Sequence, residues 1–281
     1  MLKILVNLKI ILIQIWFDKM ENIDKIIYIN LDSRVDRRRH MEKMLSKINI
    51  PYKRFNAVKP GINDILRRGG RYNLFFKKSH ERVKRFCEDD NAKYRGAGII
   101  GCYVSHYNIL KAHRNGHLLV LEDDAEFDRV FLEKLDRRIS KELSGTSWDM
   151  VRVVWPYVSS SLRRHGEIGE VVSPSFVRWA NHVGRMYVDQ DLLPNKNRYN
   201  HKKNRSKSMD GGTTFQIINK NSVEKILDAL DEEPLNNIDG VYSKCSINSY
   251  IYSPSNRLES FDVLTKNNSI LKSDIPKVSV K

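Results

Sequence analysis

Three carboxylates in a row, Glu122-Asp123-Asp124, follow directly on the apolar run Leu118-Leu119-Val120-Leu121. Crowded carboxylates repel one another, and a protein tolerates them best where a cation compensates. Carboxylate oxygens are hard ligands, suited to Mg²⁺ or Mn²⁺. An ion held there could grip a diphosphate and neutralise charge on a departing phosphate. On spacing alone a second reading stays open. The triplet could be an acidic turn capping a helix that begins near Phe127, because carboxylates favour helix N-termini.

Three further constellations carry polar chemistry. Asn30-Leu31-Asp32-Ser33-Arg34-Val35-Asp36-Arg37-Arg38-Arg39 follows an apolar stretch and opens a helical pattern. Such a turn offers backbone N–H groups and a favourable dipole to an anion. Arg34 and Arg37 could add hydrogen bonds to phosphate or a nucleotide, while Arg38 and Arg39 read as a solvated face. Gly98 to His106 supplies two glycines that permit close backbone approach, with Ser105 and His106 as polar groups; a lone histidine is more often structural than catalytic. Asp210, before Gly211-Gly212, and Asp239, after Asn237-Ile238, each set a carboxylate beside an irregular segment. Either could take a proton from a hydroxyl, and either could be a turn residue. No Ser/His/Asp set has nucleophile-elbow spacing.

The elements that must position these groups alternate. Residues 24–31 read as a buried strand, 35–48 as a helix capped by Asp32 or Ser33 and stopped by Pro51, and 52–58 as a second strand. That is the length of a βαβ unit. A helix over 98–114 ends at Gly116, and a short strand over 117–121 delivers the acidic triplet. An amphipathic helix over 127–143, strands over 147–155 and 213–218, a helix over 222–230 and a helix leading into a strand over 241–251 complete the pattern. Residues 60–95 form a basic, partly helical insertion, 160–181 show no clear pattern, and 195–208 read as a flexible Lys/Arg/Asn loop. The alternation predicts an α/β domain. With no internal repeat and no domain-scale linker, the chain divides into an apolar or amphipathic segment (1–22), one domain (23–265) and a tail (266–281).

Bulk properties agree. Of 281 residues, 41% are hydrophobic and 30% charged, enough apolar content for a core and too much for a disordered chain. The formal charge of +15 favours anionic partners: nucleic acid, an acidic membrane surface or phosphorylated small molecules. Cys87, Cys102 and Cys245 show no CxxC spacing, so a zinc or thioredoxin-type motif lacks support and a reducing compartment is expected. Cys102 reads as a small buried residue. Near the N-terminus the clean apolar run Ile10 to Ile13 falls far short of the ~20 residues a membrane span needs. The expected setting is the cytoplasm, with residues 1–17 packed on the body or lying on a membrane surface; a weak signal-anchor into the secretory pathway is the alternative.

Taken together, the blocks resemble glycosyltransferase family 25, over roughly residues 23–270 with gaps. Ile26-Ile27-Tyr28-Ile29-Asn30-Leu31 through Arg34, Asp36, Arg37 and Arg38 is similar to the family's opening strand and Arg-bearing loop. Tyr52 to Val58 is similar to its second strand, Gly98 to His106 to its Gly-Cys-Ser-His signature, Leu121 to Asp124 to its Asp-x-Asp equivalent, and Ser147-Trp148-Asp149 to its Trp-Asp strand entry. Gly212 to Asn219 and Asn237-Ile238-Asp239 match later blocks more weakly. The departures are Ile99 where an acidic residue is usual, Lys59-Pro60 in place of Asp-Gly, and Gln216 where an aromatic is common. The resemblance implies a GT-A-like single domain with a mixed, mostly parallel sheet. It implies a UDP-sugar donor (galactose or glucose), inversion at the anomeric carbon, and Mn²⁺ or Mg²⁺. Carried over, Asp124 and Glu122 would hold the metal. Asn30, Leu31, Arg34, Arg37, Ser105, His106, Glu122 and Asp123 would bind the donor, and Asp239 or Asp210 would act in catalysis. Acceptors would be a glycan, a lipid-linked sugar or a protein hydroxyl. Two competing readings are a basic module binding nucleic acid (the disfavoured partner) or an anionic glycan, and a catalytically silent UDP-sugar-binding relative.

Overall fold

A computed structural model describes residues 20–61, 63–64, 93–153, 169–171, 173, 175–179, 213–232, 238–242 and 246–252. Residues 1–19, most of the basic 60–95 stretch, 195–208, Asp210 and the tail, for which the sequence carried expectations, lie outside the described residues.

Eight strands form one sheet: β1 (Lys25–Asn30), β2 (Tyr52–Asn56), β3 (Leu118–Glu122), β4 (Met150–Val153), β5 (Gly169–Val171), β6 (Phe176–Trp179), β7 (Phe215–Ile218) and β8 (Ser249–Tyr252). Their order is β2-β1-β3-β7-β4-β8-β6-β5. Six of the eight point the same way, and β7 and β6 run against them. The expected mixed, mostly parallel α/β sheet is therefore what the chain builds.

Helices α1 (Val35–Leu45) and α3 (Arg129–Glu142) cover one face; α2 (Lys93–Ala112), α4 (Val223–Glu232) and α5 (Ile238–Tyr242) cover the other. The run KIIYIN shows why both faces need cover. Ile26 and Tyr28 pack with Met41, Leu45, Leu132 and Leu135, while Ile27 and Ile29 pack with Ile100, Val104, Ile226 and Leu230. A strand apolar on both sides is stable only between two layers. None of the described helices is long and apolar enough to cross a membrane.

Several local details depart from expectation. Helix α1 has Arg34 at its N-cap with no side-chain cap, because Asp32 turns instead to Arg54 and Asn56. It ends at Leu45, well before Pro51, and the turn that follows buries Ile48 and Ile50. Helix α2 begins at Lys93, earlier than its pattern indicated. Gly116, at φ +85°, makes the turn into β3, where a Cβ would press on Asp24 at 3.1 Å.

The topology matters most at one edge. The carboxyl ends of β1, β2, β3, β4 and β8 and the amino end of β7 all lie there. Ligands of open α/β sheets gather at such an edge.

Candidate functional site

Asn30 ends β1 and is 1% exposed. Its Nδ2 donates to Asp123 Oδ2 (2.7 Å) and to the Arg34 carbonyl (3.1 Å), and its Oδ1 accepts from Arg54 Nε (3.0 Å). Arg54, on β2, also donates to the Asn30 carbonyl and to Asp32, and Asn56 donates to Asp32 at 2.6 Å. This Arg54–Asn30–Asp32–Asn56 network holds the loop into α1. Sequence reasoning missed Arg54 and Asn56, because their role depends on the parallel register that sets Tyr28 beside Arg54 and Asn30 beside Asn56.

The three carboxylates diverge. Asp123 is buried, and its two oxygens are taken by Arg37 Nη1 (2.6 Å) and Asn30 Nδ2. It clamps the first turn of α1 onto the end of β3. Asp124 faces out. Its surface is open to solvent, yet protein crowds round the carboxyl. That burial, followed by the charges of Glu122 and Asp123 and opposed by Arg37, pushes its pKa up to about 7. None of the triplet caps α3: Asp128 does so, accepting from the Phe131 N–H at 2.8 Å.

Glu122 turns toward α2. Its Oε1 accepts from Cys102 Sγ (3.5 Å) and from Thr213 Oγ1, and His106 Nε2 lies 3.7 Å away. Burial alone would push this carboxyl up, but His106, Thr213 and Cys102 together hold it below the ordinary range. His106 is 1% exposed, and its Nδ1 sits 3.4 Å from the Tyr242 hydroxyl. Cys102, expected to be a small buried residue, is half-buried and belongs to this group. Thr213 and Tyr242 carried no sequence signal as site residues; for Cys102 the i, i+4 spacing with His106 on a helix was the available clue.

The glycines of α2 behave differently from each other. A Cβ on Gly101 would lie 2.2 Å from the Val58 carbonyl oxygen, whereas Gly98 has nothing within 4 Å. Only Gly101 makes a close backbone approach. Ser105, fully buried, secures the same contact: it accepts from the Val58 N–H at 2.9 Å and donates to the Gly101 carbonyl at 2.6 Å.

Among the expected site residues, the structure thus gathers Asn30, Arg37, Asp123, Asp124, Glu122 and His106 at one sheet edge. Leu31 is half-buried in the same loop, its carbonyl accepting from the Arg34 N–H, and Arg34 binds Asp36 in bidentate fashion at 2.9–3.1 Å. Ser105 points into the packing between α2 and the loop after β2. Asp239 lies on α5, its side chain outside what is described, and Asp210 lies outside the described residues.

Comparison with known proteins agrees with this architecture. The model of glycosyltransferase family 25 (LPS biosynthesis protein) matches residues 23–241. Procollagen galactosyltransferase 1-B of Xenopus laevis is 31% identical over 144 residues, 48% of this chain and 21% of that protein. A glycosyltransferase 25 family member of Drosophila melanogaster is 28% identical over 137 residues, 46% of this chain and 21% of that protein. Procollagen galactosyltransferase 2 of Homo sapiens is 29% identical over 142 residues, covering 48% and 21% respectively. The matched stretches span about a fifth of the length of these curated relatives. The α/β sheet with its acidic edge and the family match place the chain among the glycosyltransferases, and it belongs to family 25.

Proposed function

We propose that the protein transfers a hexose from a UDP-sugar to an acceptor hydroxyl, with inversion and with help from a divalent metal. The observation that carries this reading is Asp124: a carboxyl at a strand end, open on one side, beside Glu122 and with its pKa raised to about 7. Such a group gains from a cation, and the oxygen donors fit Mn²⁺ or Mg²⁺. Asp124 and Glu122 would hold the ion. When bound, it would neutralise charge on the departing diphosphate.

The remaining steps fall to the chain itself. The Arg37–Asp123–Asn30 clamp fixes the turn, so Asp124 keeps its outward position. The loop from Asn30 to Arg34, braced by Arg54, borders the nucleotide, and Arg37, Leu31, Ser105 and His106 shape the donor side through the groups they hold. Asp239 or Asp210 takes the proton of the acceptor hydroxyl as the new bond forms. The relatives' names favour galactose as the hexose. A glycan, a lipid-linked sugar or a protein hydroxyl is the acceptor class, and the cytoplasm, at or near a membrane surface, is the proposed setting.

A screen of nucleotide sugars, read by thermal shift and by hydrolysis with and without Mn²⁺, tests this. A UDP-hexose should be selected and hydrolysed in a metal-dependent way, and Asp124→Ala should lose that activity. Full-rate hydrolysis by Asp124→Ala would remove the metal assignment. No response to any nucleotide sugar would remove the function.

A further inference from the structure

The group Cys102–His106–Glu122 can do more than brace one carboxylate. Cys102 Sγ, a His106 ring nitrogen and a Glu122 oxygen all lie within 4.8 Å of one another. Sγ to Oε1 is 3.5 Å and Nε2 to Oε1 is 3.7 Å. Ordinary zinc bond lengths to sulfur, nitrogen and oxygen give tetrahedral edges of about 3.5 Å for S···O and about 3.3 Å for N···O. The two edges that meet at Glu122 Oε1 already stand close to those separations.

Two observations separate it from an ordinary hydrogen-bonded cluster. The thiol and the Thr213 hydroxyl satisfy Glu122, but His106 Nε2 is buried and has no hydrogen-bond partner. A buried nitrogen held 3.7 Å from its nearest carboxylate oxygen, beyond hydrogen-bond reach, costs free energy, and a ligand can relieve it. The other ring nitrogen faces the Tyr242 hydroxyl, the kind of outer contact that orients a metal-binding imidazole. The donor set also differs from that of Asp124. Thiolate, imidazole and one carboxylate suit a borderline ion such as Zn²⁺ or Co²⁺.

We propose that Cys102, His106 and Glu122 form a second metal site, selective for a thiophilic divalent ion, whose occupation switches off transfer. Binding releases the Cys102 thiol proton to solvent and leaves thiolate, neutral imidazole and carboxylate on the ion. A water completes the tetrahedron, while Thr213 keeps its hydrogen bond to Glu122. Glu122 is then committed to the inner ion and lost to its partnership with Asp124. The inhibitory consequence rests on the function proposed above; the metal site does not.

The test titrates the reduced full-length chain with Co²⁺ alone. One ion per chain should bind, with thiolate-to-cobalt charge-transfer absorption in the near ultraviolet and the intense visible bands of a tetrahedral centre. Cys102→Ser should lose the charge-transfer band, and His106→Gln should bind at least tenfold more weakly. The double variant Cys87→Ser/Cys245→Ser should keep the band. A variant-free measurement guards against misfolding: Zn²⁺ should slow alkylation of Cys102 in the parent protein, read by mass spectrometry. No band in the parent, a band that survives Cys102→Ser, or no protection of Cys102 would each overturn the site. If transfer is found, Zn²⁺ added over saturating Mn²⁺ should inhibit the parent and spare Cys102→Ser; equal inhibition of both would overturn the switch. A cobalt spectrum without sugar transfer would keep the site and sink the proposed function, and transfer without the spectrum would do the reverse.

Discussion

Arg37 and Asp123 form a buried ion pair, Nη1 to Oδ1 at 2.6 Å, with side chains only 8% and 10% exposed. The pair divides the labour of the acidic triplet. It takes Asp123 into the framework and leaves Asp124 as the carboxylate facing the sheet edge. Asp123→Ala would remove the 2.6 Å carboxylate partner of the buried Arg37 charge, and losing one partner of a buried pair costs about 3–5 kcal/mol. Urea unfolding should show a loss of that order, and a loss below about 1 kcal/mol would mean the pair is not a clamp.

Asp124 should behave in the opposite way. Its folded-state pKa of about 7 lies above the ordinary carboxylate value, so between the two the folded protein holds a proton that the unfolded chain has released. Stability from this group is complete at acid pH and is lost as pH rises toward neutrality. Asp124→Asn should remove that loss, leaving the protein at pH 7 as stable as the parent or more so while abolishing metal-dependent turnover. Mn²⁺ should raise the melting temperature of the parent at neutral pH and not that of the variant. A variant clearly less stable than the parent at pH 7 would contradict the crowding argument.

His117 carries the reverse slope. It stacks on Trp148 with ring centroids 5.7 Å apart, and its Nδ1 faces the Lys220 N–H at 3.4 Å. Burial is the main cause of its lowered pKa; Lys220 adds to it, and Asp24 and Asp136 oppose it. The unfolded chain therefore binds a proton near pH 6.5 that the folded protein refuses until lower pH, and stability falls on acidification through that window. His117→Gln should flatten the fall between about pH 7.5 and 5, by up to one proton in slope. His113, lowered for the same leading reason, should supply part of what remains. An unchanged slope would show that His117 is not buried neutral.

Two glycines on one helix make a paired test. Gly101→Ala puts a methyl against the Val58 carbonyl oxygen, 2.2 Å away before relaxation, and should destabilise by about 1–3 kcal/mol or more. Gly98→Ala meets nothing within 4 Å and gains helix propensity, so it should stabilise by roughly 0.5–1 kcal/mol. Thermal melts of the two variants should move in opposite directions. Equal shifts would refute the close approach.

Much of the frame was legible because apolar content marks it. Leu118 to Leu121 and Ile26 to Ile29 are continuous runs, and a strand buried on both faces has no other signature. Cap chemistry was less legible. Asp32 precedes α1 as a cap would, but Arg54 on a neighbouring strand outbids the helix for its carboxylate, and a linear sequence holds no register. The same limit hid the split within the triplet. Three adjacent carboxylates look alike in sequence, and only the turn after β3 decides that Asp123 meets Arg37 while Glu122 meets Cys102 and His106. Gly98 and Gly101 likewise differ only in what the fold brings alongside.

The central position of β7 also reaches into the history of each molecule. Glu122 receives the Thr213 hydroxyl across a chain separation of 91 residues, and its N–H reaches the carbonyl of the next residue, Thr214. At ordinary elongation rates that interval takes roughly 5–20 s of synthesis. Throughout it, the nascent chain displays Leu118 to Leu121 with one hydrogen-bonding edge unpaired. Open apolar edges invite pairing with other chains, so a chaperone would have its greatest effect on yield before residue 218 leaves the ribosome.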